Sequence, residues 1–357
     1  MKRNFLYLAV VTVAALAIVM LVTPEDDSAA KSAVDKLLLP GISEQINDVD
    51  RVEIVTAGDN TAATLIRAEN FWQVEQMGGY RADWPKVQAL LAALAQARVL
   101  EAKTDKPEYY ARLGVEDIAA ADAASVLVRI AIGDQATGIL IGNEAQGRQG
   151  QYVRLQNAAG SALVDREFDV PATSLGWADT RIIDINASEV AEVEIIHPAA
   201  ERLLVTKVSA DQTDFELAGL SPDREIKSSW AVNSLGSVFS MLNMQTVKPG
   251  SEVDWTEAVK MRLLMFSGVE ILADLVQQGD EYLIRLHASH PDASVLRAES
   301  EESGDETASA GQAAADVTQQ VEDINSKAGG WAYGISESKF EAMVKKPEDL
   351  LKPLESS

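Results

Sequence analysis

The chain has 357 residues, a formal net charge of −24, three histidines and no cysteine. That length suits about two domains. Disulfides, a thiol nucleophile and a lipid on an N-terminal cysteine are excluded, and so acidic a surface repels phosphate backbones, so no nucleic-acid partner is expected.

The N-terminus carries the clearest local signal. Lys2 and Arg3 precede an uncharged apolar run from Phe5 to Val22. Its eighteen residues would span about 27 Å as a helix, close to the ~30 Å hydrocarbon core of a bilayer. Basic residues before the run and Pro24-Glu25-Asp26-Asp27 after it orient residues 1–4 to the cytoplasm. Residues 5–22 are therefore expected to be a transmembrane anchor and residues 23–36 a linker. The expected location is the inner membrane, single-pass, with the body in the periplasm of a Gram-negative cell. The competing reading is a cleaved signal peptide, but signal cores usually run ~7–15 residues and end in a small-x-small site, which Val22-Thr23-Pro24 lacks.

Short strands follow. Residues Arg51 to Val55 and Ala63 to Ala68 alternate as a hairpin around Gly58-Asp59-Asn60, and FWQVEQ alternates as well. Next comes MGGYRADWPKVQALLAAL, residues 77–94, in which Val87, Leu90, Leu91 and Leu94 lie at helical spacing. Gly78 and Gly79 suit the positive φ of a tight strand-to-helix turn. Asp83 suits an N-cap, with Pro85 in the first turn. That leaves Tyr80 and Arg81 without a structural task, available at the surface as candidate partner contacts. Beyond the helix, KPEYYARLG reads as a short helix from Pro107 ending at Gly114. Strand-like runs then cover Val126 to Ile132, Gly138 to Ile141, Gln151 to Leu155 and Ala162 to Asp165. The glycine-rich stretch Gly142 to Gly150 lacks a phosphate-loop lysine and reads as a hairpin loop.

The second half echoes the first. VEII at Val193 to Ile196 repeats VEIV at Val52 to Val55, an offset of 193 − 52 = 141 residues. Ser228 to Leu242 repeats the apolar helix, with Trp230 expected in its core-facing pattern, and Arg262 to Leu286 repeats the run from Arg129 to Leu155. Two copies of one α+β unit, with mixed or antiparallel sheets and packed helices, are expected over residues 37–187 and 188–354. The second copy has LSPDRE where the first has the Tyr-Arg pair. It also contains an acidic insertion, about 292–326. Within it, Glu299 to Asp323 holds eight acids and no basic residue, so a disordered loop is expected.

Standard catalytic patterns are missing. No G-x-S-x-G, H-E-x-x-H, Walker lysine or dinucleotide fingerprint occurs. His287 and His290 form H-x-x-H, but Pro291 follows at once and argues against a ligand-bearing helix. No catalytic residue, metal site or cofactor is therefore expected.

Several segments together resemble a known family. They are LLLPGISEQINDVDRVEI, the run from Phe71 to Ile118, LIG with GQYVRL, and GWADTRIIDI. The pattern of W-x-V, G-Y-x-A-D, Lys-Thr with Pro-Glu-x-Tyr, and Y-V-R is similar to that of the bacterial domain of unknown function 4340, over about residues 37–185. Members of that family look like single-span proteins with an extracytoplasmic body, many encoded beside gliding-motility-type ABC-transporter components. The resemblance implies a non-catalytic accessory or scaffold role in an ABC-transporter-like envelope complex, and it assigns no catalytic residues. Two rival readings stay open: a periplasmic solute- or glycan-binding module, and a hydrolase with an unfamiliar site.

Overall fold

The computed structural model describes residues 35–290 and 307–353. The anchor expected at Phe5 to Val22 lies outside them. Among the described residues no helix is long and apolar enough to cross a membrane. The chain is α+β with antiparallel sheets, and it divides into two compact units. One runs to Arg67 and resumes over Pro85–Ala172; the other holds Ala68–Trp84 and continues from Thr173.

In the first unit, β1 (Arg51–Thr56) and β2 (Asn60–Arg67) form the hairpin that their alternation predicts. Then come β5 (Val99–Ala102), β6 (Val126–Ile132), β7 (Gln135–Glu144), β8 (Gln151–Leu155) and β9 (Ser161–Val164). Their order across the sheet is β2-β1-β6-β7-β8-β9-β5. Val52, Ile54, Val128, Ile139 and Val153 are fully buried or nearly so. Helix α1 (Pro40–Gln45) buries Ile42, and α2 (Trp84–Gln96) buries Val87, Leu90, Leu91 and Leu94, the stripe read from its spacing. A short 3-10 turn from Pro107 leads into α3 (Tyr110–Leu113), which stops at Gly114 with φ 67°. Gly142, in β7, lies tight against this stop. A Cβ there would come within 2.7 Å of the Gly114 carbonyl and closer still to that of Leu113. Gly142→Ala is accordingly expected to cost about 1–3 kcal/mol, read as a lower urea midpoint at unchanged slope.

The second unit contains the hairpin of β3 (Trp72–Val74) and β4 (Tyr80–Arg81), the short α4 (Ser174–Trp177), and the pair β10 (Arg181–Ile183) with β14 (Leu242–Asn243). Its large sheet uses β11 (Val190–Ile196), β12 (Arg202–Thr206), β13 (Glu216–Leu217), β15 (Thr246–Pro249), β16 (Val259–Met265), β17 (Glu270–Gln278), β18 (Glu281–Ser289) and β19 (Trp331–Gly334). The order is β13-β12-β11-β16-β17-β18-β19-β15. From β12 onward every strand number is ten higher than its counterpart in the first sheet.

Two sequence expectations are corrected here. The helix expected over Ser228 to Leu242 is only α5 (Ser229–Asn233), capped by Ser228 Oγ, followed by a 3-10 turn at Ser234–Ser237. Gly236 sits beneath Phe215, where a Cβ would meet the ring. The carbonyls of Val238 and Ser240 turn instead to Lys339 Nζ, at 3.1 and 3.0 Å. Burial holds the pKa of that lysine below its ordinary value. Trp230, expected in the core, is 77 % exposed, because the broken helix buries Val232, Leu235 and Phe239 and turns its first turn outward.

The acidic insertion is the second correction. Residues 291–306 lie outside the described ones, but from Thr307 to Ala328 the chain is a helix, α6. Average composition concealed a stripe of Val317, Val321, Ile324 and Ala328 at helical spacing, each partly or fully buried. Alanine and glutamine in the same segment favour the helix. The C-terminal end of α6 is fixed by Asn325, whose side-chain amide accepts from the Ala288 N–H (2.8 Å) and donates to the Ala288 carbonyl (2.7 Å). This amide caps the edge of β18 beyond its pairing with β19, which stops at Ile284. Asn325→Ala should therefore cost about 1–3 kcal/mol, the penalty for leaving buried backbone groups unpaired. Faster amide exchange at Ala288 is the direct check. Two short helices, α7 (Glu337–Met343) and α8 (Pro347–Leu350), close the chain.

Candidate functional site

In the GGYRAD stretch, Gly78 has φ 66° and its N–H donates to the Glu75 carbonyl, and Gly79 has φ 82° with its N–H on the Val74 carbonyl. These are left-handed positions that favour glycine. The turn feeds β4, and the Asp83 N–H donates to the Trp177 carbonyl at 2.8 Å directly before α2.

Tyr80 is not at the surface. It is 1 % exposed, and its ring stands edge-on to Trp331 (5.2 Å between centroids) and Tyr333 (5.9 Å). Its hydroxyl donates to the Asp179 carbonyl at 3.2 Å. The Asp179 carboxylate pairs with Lys327 at 2.6 Å, and the Tyr333 hydroxyl donates to the Lys327 carbonyl at 3.1 Å. Burial pushes the Tyr80 phenol up to about 12 and raises that of Tyr333 further. Gly78 faces the Trp331 ring, 3.8 Å from where its Cβ would stand. The expectation of a surface Tyr80 is thus corrected: the β3-β4 hairpin needs an aromatic anchor, and the two rings of Trp331 and Tyr333 exclude water around it. Arg81 is half-buried and lies over the Phe71 ring at 5.2 Å.

The Y-V-R and Pro-Glu-x-Tyr segments meet in the first unit. Arg154 is 4 % exposed. It donates to the carbonyls of Val115 (2.8 Å) and Ala158 (3.0 Å), pairs with Asp117, and lies 4.3 Å from the Tyr110 ring centroid. The Tyr110 hydroxyl in turn donates to the carbonyls of Asp105 and Ala159. A buried guanidinium with its fork committed to loop carbonyls is a clamp, not a free ligand-binding charge.

A groove of about 520 Å³ crosses the sheet of the second unit. The strand register sets its side chains in rows. One row runs Ile196, Lys260, Asp274, Arg285, and the next runs Glu194, Arg262, Leu272, His287. Lys260 and Arg285 both pair with Asp274, at 3.1 and 2.6 Å. Burial works against the charge of Arg262, but Glu270 and Glu192 outweigh it and its pKa stands above the ordinary value. His287 belongs to a strand, not to the helical face an H-x-x-H ligand pair needs. Among the described residues no group of three or more His, Asp or Glu could hold a metal ion. The groove presents fixed, mutually neutralised charges beside the apolar Ile196 and Leu272, a surface suited to contact and recognition. Sequence reasoning missed this groove because none of its rows is contiguous in the chain.

The family model described as Domain of unknown function (DUF4340) matches residues 72–262, more than half of the chain. The chain belongs to this family. The family match begins at β3, includes Tyr80, Tyr110, Arg154 and Asp179, and continues into β16. The matched span therefore covers both the hairpin anchor and the arginine clamp. No curated protein and no solved structure matches the chain.

Proposed function

We propose that this chain is a membrane-anchored periplasmic protein that works without catalysis, as an accessory or scaffold subunit of an ABC-transporter-like complex in the inner membrane. The anchor at Phe5 to Val22 holds it to the bilayer, and its sheets offer contact surfaces. The observation that carries the reading is the groove of the second unit, whose charged side chains are committed to one another while Ile196 and Leu272 stay 37 % and 41 % exposed. Such a face is held ready for contact instead of proton transfer. The groove equally favours one second reading, a solute- or glycan-binding module.

The two units are further proposed to be copies of one ancestral unit. The matching strand order from β12 onward supports this, as does a cross-strand Glu–Arg pair at matching places. Glu53 faces Arg129 between β1 and β6, and Glu194 faces Arg262 between β11 and β16.

The test is a photo-crosslinking residue in place of Leu272, used in intact cells. An adduct with an integral membrane protein of an ABC-transporter assembly is expected. Failure to form any protein adduct, with protection of Leu272 by an added glycan or solute, favours the second reading. A soluble protein whose N-terminus begins near Ala29 overturns the anchored reading.

A further inference from the structure

We infer that the groove between α1 and the sheet of the first unit takes an acyl chain of a bilayer phospholipid; this rests on the anchored reading above. The groove has a volume of about 310 Å³. Leu38, Leu39 and Ile42 form one wall, and Ile130, Ile132 and Leu155 contribute to the other. Gln45, Gln135 and Thr137 are its polar side chains, and no lining residue is ionisable. That is unusual in a chain in which 24 % of residues are charged and the net charge is −24. Two grooves of the second unit, by contrast, are lined by acids and bases. A neutral apolar slot rejects charged partners, because a charge would lose its hydration there without gaining a pair.

The position of the groove names the occupant. The described chain enters at Asp35, whose N–H donates to the Val99 carbonyl, and Leu38 is held on the Ala97 carbonyl, both at 2.7 Å. Thirteen residue steps separate Val22, the end of the anchor, from Asp35. At ~3.5 Å per residue the groove entrance cannot lie more than about 45 Å from the bilayer surface. The tether therefore keeps an uncharged slot within reach of a large reservoir of neutral apolar chains, which raises the effective concentration of that ligand.

The test uses the full chain in nanodiscs of phosphatidylcholine carrying a photoactivatable group midway along one acyl chain. Adducts are mapped by mass spectrometry. Labels are expected on Phe5 to Val22 and also on Leu38 to Gln45 or Ile130 to Thr137. Thr137→Trp, which fills the slot, and Ile132→Gln, which makes it polar, should each lower the ratio of groove label to anchor label at least fivefold. Anchor label without groove label, or a ratio that neither variant changes, overturns the proposal. Groove label without anchor label supports the slot and overturns the anchored reading, and label at neither place overturns both.

Discussion

Tyr80→Ala is expected to lower the stability of the second unit by about 3–5 kcal/mol, the usual cost of emptying a buried aromatic site. At 2–4 °C per kcal/mol for a unit of this size, the melting temperature should fall on the order of 10 °C. The ring is 1 % exposed and touches Trp331 and Tyr333, so little can collapse to fill the space. Tyr80→Phe keeps the packing and loses only the bond to the Asp179 carbonyl, about 1 kcal/mol. Arg81→Ala should change stability by less than about 1 kcal/mol, because its stacking partner Phe71 is 38 % exposed.

The same phenol gives a pH dependence with a definite sign. Its folded pKa of about 12 stands above the ordinary 10. The folded state therefore binds the proton more tightly, and its contribution is complete below pH 10 and is lost as pH rises through about 12. Tyr333, also raised, acts in the same direction. Denaturant midpoints should fall between pH 10 and 12 in the native chain and fall less in Tyr80→Phe. If Tyr80→Ala melts with the native chain while Arg81→Ala does not, the anchor has been placed on the wrong residue.

Arg154→Met is the second large expected loss, about 3 kcal/mol. It strips the donors from the Val115 and Ala158 carbonyls, and a buried acceptor left bare costs about 1–3 kcal/mol. Asp117, 80 % exposed at its side chain, returns to water and adds little. Arg154→Lys should not rescue stability, because a single ammonium cannot span acceptors that lie on different sides of a planar fork. Hydrogen exchange is the discriminating measurement. Faster exchange confined to residues 105–118 and 158–161 locates the clamp where its bonds are, whereas uniform acceleration across the unit would contradict a local clamp.

Much of the fold is legible in the sequence, because strands and helices with one buried face advertise themselves by local period. The alternation at Arg51–Thr56, the stripe at Val87, Leu90, Leu91 and Leu94, and the glycine stop at Gly114 all depend on neighbours within a few residues, so one sequence sufficed to place them. Composition misled where it averaged over a pattern. The acidity of Glu299 to Asp323 hid the Val317, Val321, Ile324, Ala328 stripe of α6, and the apolar run after Ser228 hid the break around Gly236.

The burial of Tyr80 and the rows of the second unit's groove were decided by tertiary structure alone. Tyr80 and its acceptor Asp179 are 99 residues apart in the chain, and the two rings that enclose Tyr80 come later still. A tyrosine in a glycine-rich turn is neutral between surface and core until those rings arrive, because its own neighbours supply neither the apolar contact nor the acceptor for its hydroxyl. The pairing of Asp179 with Lys327 and the capture of Arg154 by the Val115 carbonyl, 39 residues away, follow the same rule. Local sequence sets each element's period and ends; which polar side chains are buried depends on the acceptors that distant strands bring to them.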